Sequence, residues 1–79
     1  MNPQTVRHMP AGQITPTHLG HTVTARDRAT VTTRTGVLSD YATDARHGHV
    51  TLYAGGHTIE LRAADTVTVG TLPVLGGAA

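Results

Sequence analysis

Three histidines stand close together in this sequence, and histidine imidazole is a common zinc ligand. They are His47, His49 and His57, within the stretch HGHVTLYAGGHTIEL that begins at residue 47. The Gly55-Gly56 pair in the middle of this stretch predicts a two-residue β-hairpin turn, because glycine readily adopts the positive φ angles that such turns need. Whether the histidines can share a metal ion therefore depends on the register of the hairpin.

The register that follows from this turn separates the histidines. Counting outward pairs Ala54 with His57 and, at the far end, His49 with Arg62. At about 3.3 Å per residue, His49 and His57 lie roughly 15 Å apart, too far to bind one ion. His47 and His49 supply only two ligands, fewer than a zinc site needs. We therefore predict no metal site and no cofactor. The apolar residues of the hairpin fall on one face, namely Val50, Leu52, Ile59 and Leu61.

Residues for catalysis are sparse. The only serine is Ser39, and its surroundings lack the glycine-containing elbow that presents a nucleophile. Asp40 and Asp44 are close enough in sequence to hold a cation, but aspartates in such segments more often bond to local backbone amides. The Gly55-Gly56 pair lacks the lysine and the following helix of a phosphate-binding loop. We therefore expect no enzymatic activity.

The length and composition correspond to one small domain. Its 79 residues include no cysteine, which excludes disulfides and thiolate metal sites. A domain of this size buries only about 60% of its unfolded surface, so self-association is an expected source of further stability. No apolar run of about 18 residues and no signal-peptide pattern occurs, so we expect a cytoplasmic location and no membrane partner.

The charge pattern gives little support to nucleic-acid binding. Six arginines and no lysine stand against five acidic residues, for a formal net charge of +1, whereas nucleic-acid-binding domains generally carry clustered positive charge. The use of arginine alone is typical of GC-rich bacterial and phage genomes. A surface of aromatic, histidine and arginine side chains is still a candidate for binding nucleic acid or a partner. Its candidate residues are Arg34, Tyr41, Arg46, His49, Tyr53 and Arg62.

The distribution of threonine predicts strands. Fifteen threonines alternate with valine, isoleucine and leucine, which is typical of half-buried strands. The alternation changes phase where Gly36 precedes Val37 and Leu38, which predicts a bend or bulge in a long second strand. The longest internal loop is predicted between Asp40 and Gly48. Five strands are predicted, at residues 21–26, 29–39, 49–53, 57–61 and 66–69.

Short connections join these strands. Tight turns are predicted at residues 27–29 and 62–65, and Thr15 and Pro16 are placed to cap and begin one helical turn before the first strand. The domain is predicted to span residues 14–70, with an N-terminal tail of residues 1–13 and a C-terminal tail of residues 71–79. The predicted fold is all-β, a five-stranded, strongly bent antiparallel small barrel of the SH3-like type.

The order of elements from Leu19 to Val69 resembles the Sm/LSm family of small barrels. The segment GVLSDY, which begins at Gly36, is similar to the first motif of that family, and LRAADTVTV, which begins at Leu61, is similar to the second. The resemblance implies an SH3/Sm-like barrel with a short N-terminal helical turn. It further implies that protomers close into rings and that Arg62 contacts RNA.

Two functions follow from these observations. The first is a non-catalytic protein-interaction or assembly module that forms a homo-oligomer or binds a protein partner, because strand edges pair readily with further strands. The alternative is an Sm-like protein that binds single-stranded RNA or other single-stranded nucleic acid. Clustering of the candidate arginines with His49 and Tyr53 would favour nucleic acid. Scattered arginines and strand edges covered by neighbouring chains would favour assembly.

Overall fold

The computed structural model describes residues 6–70 as one open antiparallel β-sheet. The strand order across the sheet is β1-β6-β2-β3-β4-β5. The all-β class predicted from the sequence is confirmed, whereas the strand count is six and not five. The strands are β1 Arg7–Pro10, β2 Thr22–Asp27, β3 Thr32–Asp44, β4 His49–Ala54, β5 His57–Arg62 and β6 Thr66–Val69.

The additional strand lies within the predicted N-terminal tail. β1 pairs with β6, beginning with Arg7 opposite Val69. The chain stays attached beyond the strand, because the Ala11 amide donates to the Asp65 carbonyl oxygen at 2.8 Å. A four-residue strand that ends in Pro10 has little sequence signal, since proline is disfavoured in most strand positions. The C-terminal tail predicted at residues 71–79 lies outside the described residues.

Two 3₁₀ turns connect β1 to β2. They span Ala11–Gln13 and Pro16–His18. The second is the predicted helical turn, with Thr15 at its N-cap and Pro16 as its first residue. The Thr15 amide donates to Nδ1 of His18 at 2.9 Å, which closes this turn. No helix in residues 6–70 has the length and apolar character needed to cross a membrane.

Strand β3 links the two halves of the sheet. Its residues 32–37 pair with β2, and its residues 38–44 pair with β4. A register shift between Leu38 and Asp40 places the bulge just after Gly36, close to the predicted phase change. The loop predicted from Asp40 to Gly48 is wrong over residues 40–44, which continue β3, and only residues 45–48 form the connection to β4. This part of the strand is exposed except for Tyr41, so it shows no apolar alternation.

Gly36 allows β3 to pass close to the turn between β4 and β5. A Cβ atom at Gly36 would lie 2.7 Å from the amide nitrogen of Gly55 and 2.8 Å from the carbonyl carbon of Ala54. Gly55 and Gly56 have φ angles of +57° and +81°, as the two-residue hairpin turn requires. The path of the long strand therefore depends on a position without a side chain.

The β4–β5 hairpin has the predicted register. His49 lies opposite Arg62, and Ala54 lies opposite His57. His57 has the parity of the core face, but it is exposed because it adjoins the turn at the end of the hairpin. The four apolar residues predicted on one face are each at most 3% exposed, namely Val50, Leu52, Ile59 and Leu61.

One core of aliphatic side chains lies on the inner face of the bent sheet. Every strand except β1 contributes a fully buried residue, and Met9 of β1 packs against the cluster from its margin. The alternation of threonine with aliphatic residues places one face of each strand in this core. Its members are Ala11, Ile14, Val23, Ala25, Leu38, Val50, Leu52, Ala54, Ile59, Leu61, Val67 and Val69.

We predict that Gly36→Ala destabilises the protein, because the new methyl group would overlap the backbone of the β4–β5 turn. Overpacking of this kind costs about 1–3 kcal/mol, measurable as a change in the free energy of unfolding by urea denaturation. Gly70→Ala is the matched control, since its Cβ would lie 3.6 Å from the Thr22 carbonyl oxygen, an ordinary contact. Equal losses in the two variants would contradict the role given to Gly36.

Candidate functional site

Three of the predicted binding residues share the outer face of the β4–β5 hairpin. His49 and Arg62 are directly opposed, and Tyr53 lies further along β4 with 40% of its surface exposed. The same face carries acidic groups, because Asp44 lies opposite His49 on β3 and Glu60 lies opposite the neighbouring outward residue of β4. Charges of both signs are therefore mixed on this face.

The other three predicted binding residues lie elsewhere. Tyr41 is opposite Leu52 and packs partly against the core from the inner face. Arg34 is opposite the buried Ala25, so it also belongs to the inner face, and its buried Nε has no hydrogen-bond partner among the described residues. Arg46 is exposed in the connection between β3 and β4. The structure thus does not bring the six residues together.

The histidines take part in local contacts. His47 Nδ1 lies 2.8 Å from Asp44 Oδ2, and this hydrogen bond is the main cause that lowers the pKa of Asp44. The ring centroids of His47 and His49 are 6.0 Å apart, and those of His18 and His21 are 6.3 Å apart. Across residues 6–70, no group of three or more histidine, aspartate or glutamate side chains is placed to hold a metal ion.

A buried carboxylate joins β2 to β5. Asp27, the last residue of β2, is 2% exposed. Its Oδ1 accepts hydrogen bonds from the amides of Ala29 and Glu60, both at 3.0 Å, and its Oδ2 accepts from the Thr30 hydroxyl at 2.9 Å. These bonds lower the pKa of Asp27, with the bond from the Glu60 amide as the largest cause. The carboxylate therefore holds edge strand β5 against the β2–β3 turn.

Arg28 adds two further links at the same place. Its amide donates to the Glu60 carbonyl oxygen at 2.9 Å, so both backbone groups of Glu60 bond to the turn. Its guanidinium forms a bidentate ion pair with Asp65, with Nε–Oδ2 at 2.6 Å and Nη2–Oδ1 at 2.8 Å. This pairing is the main cause that lowers the pKa of Asp65 to about 2. We call Asp27, Arg28, Glu60 and Asp65 the β2–β5 junction.

The turn at this junction contains a strained residue. Val31 has a φ angle of +57°, in the left-handed region that β-branched residues avoid. Its side chain is 63% exposed, so packing does little to compensate for the strain. Its amide donates to the Asp27 carbonyl oxygen at 2.8 Å, and the Asp27 side chain bonds to two other residues of the turn. Hydrogen bonds to Asp27 therefore keep the turn in this conformation.

The amino-acid sequence does not identify this junction. It predicts only a tight turn at residues 27–29, and the partners of Asp27 and Arg28 lie 33 and 37 residues further along the chain. The one local signal is the spacing of Asp27 and Thr30, which is typical of an aspartate that bonds within its own turn. That signal carries no information about β5.

Comparison with models of protein families, with curated proteins and with solved structures finds no match for this chain. The similarity to the Sm/LSm family is therefore carried by the sequence motifs alone.

We predict that the free energy of unfolding falls as the pH is lowered from about 4 to about 2. The pKa of Asp65 is lowered from 3.8 to about 2, and that of Asp27 is lowered too. A lowered pKa in the folded state means that the stabilisation is complete above the unfolded-state pKa and is lost as the pH falls through the folded-state pKa. Urea denaturation across this range measures the slope.

Asp65→Asn should reduce stability at neutral pH and flatten this acid dependence. Asp40→Asn is the matched control, because Asp40 is exposed and lies outside the junction. The assignment fails if Asp65→Asn retains the full acid slope of the parent protein.

We predict that Val31→Asn stabilises the protein, since asparagine tolerates the left-handed region far better than valine. The expected gain in the free energy of unfolding is about 1 kcal/mol. Val37→Asn is the control, because Val37 is an exposed valine with extended backbone in β3. Thermal or urea unfolding that shows no gain for Val31→Asn over this control would argue against strain at Val31.

Proposed function

We propose that this protein is a non-catalytic interaction module that self-associates by adding strands to its sheet. The observation that carries the proposal is the difference between the two edges of the sheet. The β5 edge is covered at Glu60 by the β2–β5 junction. β1 pairs with β6 on one side, and no other strand of residues 6–70 pairs with its second side. An open edge offers donors and acceptors to another chain.

The alternation of backbone groups along β1 identifies which residues face the open edge. The Ala11 amide donates to the Asp65 carbonyl oxygen, on the side of β6. Successive residues of a strand direct their backbone groups to alternate sides. The odd-numbered residues of β1 therefore face β6, as Ala11 does, and His8 and Pro10 face outward.

A second copy of β1 fits this edge in the antiparallel orientation. With His8 opposite His8 of the second copy, each backbone donates one hydrogen bond and accepts one. The Val6 amide then reaches the carbonyl oxygen of Pro10 of the second copy. Pro10 has no N–H, so the pairing cannot extend further. Because this pairing uses the open β1 edge of both copies, it gives a closed pair and not an open stack. The pair covers Val6, which is 48% exposed in the single chain.

We further propose that the five strands after β1 form a small barrel. The hydrogen bonds that join Glu60 to Asp27 and Arg28 bring β5 back towards β2. The sheet therefore curls towards a closed barrel. This curvature supports the SH3/Sm-like barrel predicted from the sequence, with β1 as an added strand at one side.

Binding of single-stranded RNA has less support. Arg62 and His49 share their face with Asp44 and Glu60, and Arg34 belongs to the opposite face. Electrostatic attraction of phosphates requires a continuous positive surface. The motif similarity to the Sm/LSm family and the shared face of His49, Tyr53 and Arg62 favour this alternative, but the acidic groups on that face oppose it, so we place assembly first.

We predict that the molar mass in solution is about twice that of one chain, measured by size-exclusion chromatography with light scattering. His8→Pro removes the outward N–H and should yield a monomer. His8→Ala is the control, because it keeps the backbone donor while removing the imidazole that lies 3.1 Å from the Thr68 hydroxyl. Circular dichroism spectra of the two variants that match the parent spectrum are the control for folding.

A monomeric parent protein would contradict self-association. A dimer that persists in His8→Pro would contradict the β1 edge as its interface. A ring with more copies would instead support the Sm-like alternative, and Arg62 would then be the first residue to test for RNA contact.

A further inference from the structure

On the side away from β3, strand β2 pairs with β6 over only part of its length. Pairing between β2 and β6 ends at Thr24, opposite Thr68. Beyond that point β6 pairs only with β1. The next backbone contact on this side of β2 is the bond from the Arg28 amide to the Glu60 carbonyl oxygen of β5. Arg26 lies between these two points, beside a gap in the sheet.

The backbone of Arg26 faces this gap. The Thr22 carbonyl oxygen accepts from the Gly70 amide, and the Arg28 amide donates to Glu60, so the even-numbered residues of β2 direct their backbone groups away from β3. The register between β2 and β6 ends two residues before Arg26, so Arg26 lies beyond that ladder. The backbone groups of Arg26 therefore lie where the ladder with β6 has ended and an extended ligand can approach the strand.

A cavity of about 420 Å³ opens at this gap. Two arginines and one aspartate line it, and the aspartate, Asp65, is already paired with Arg28. No carboxylate of residues 6–70 forms an ion pair with Arg26, so the cavity has an excess of positive charge. Val31 and Leu61 add apolar surface. The lining residues are Arg26, Arg28, Val31, Leu61, Asp65 and Thr66.

We propose that the gap at Arg26 binds an extended, acidic segment of a partner protein. One residue of that segment pairs with the Arg26 backbone as an added strand does. A neighbouring carboxylate pairs with the Arg26 guanidinium, and an apolar side chain contacts Val31 and Leu61. Charge complementarity selects an acidic segment over a neutral or basic one. This inference rests on the proposed function as an interaction module, but it uses a site separate from the β1 edge.

The test is a ¹H–¹⁵N NMR titration of the full chain with two short extended peptides that differ only in a central glutamate or glutamine. The glutamate peptide should shift the amide resonances of Arg26, Arg28 and Thr66. Arg26→Gln should weaken its binding about tenfold, as expected for the loss of one charge-assisted hydrogen bond. Arg46→Gln is the matched control, because it removes an exposed arginine outside the cavity and should leave the affinity unchanged.

Equal affinity for the two peptides, or unchanged affinity in Arg26→Gln, would overturn the proposal. Inorganic phosphate is the third probe, and saturable phosphate binding at Arg26 without peptide binding would overturn it in favour of a simple anion site. Failure of this site is distinguishable from failure of self-association. A monomer that binds the glutamate peptide would retain the Arg26 site and refute the β1 dimer, and a dimer that does not bind the peptide would do the reverse.

Discussion

The carboxylate of Asp27 holds the bent sheet together. A carboxylate that is 2% exposed must be satisfied by hydrogen bonds, because a buried charge without partners is strongly unfavourable. Two donors come from its own turn, and the third is the Glu60 amide of β5. Removing the contact with β5 would leave Asp27 under-satisfied and β5 bonded mainly to β4. The need of this one carboxylate for hydrogen-bond donors therefore maintains the contact between β2 and edge strand β5.

The same junction determines where the sheet is incomplete. By engaging both backbone groups of Glu60, it covers the β5 edge and leaves β1 as the edge with free pairing capacity. By drawing β2 to β5 at Arg28, while β6 turns to β1, it leaves Arg26 paired with β3 on one side and beyond the β6 ladder on the other. Both proposed sites are therefore gaps in strand pairing. Each gap is short and is bordered by a basic or titratable side chain, His8 at the β1 edge and Arg26 beside β2. Such features limit uncontrolled edge pairing in natural sheets.

Local sequence patterns were sufficient for the elements whose structure depends on near neighbours. The register of the β4–β5 hairpin follows from the Gly55-Gly56 turn and the alternation on either side of it, and the turn at Thr15 follows from its cap and the proline after it. The extent of β3 beyond Asp40 was not predictable, because its exposed residues pair with β4 without forming an apolar face. Strand β1 lacked a signal because it is short and ends in a proline.

Local sequence patterns were enough to predict the all-β class, the hairpin register and the separation of His49 from His57, because periodicity and turn chemistry act over a few residues. The contacts of Asp27 and Arg28 with β5 and its following turn, the open edge at β1 and the end of the β6 ladder before Arg26 emerge only in the folded chain. The contacts of Asp27 and Arg28 join residues more than thirty positions apart, and the two gaps in strand pairing depend on how far the sheet curls before its strands meet. Local alternation does not encode that curvature.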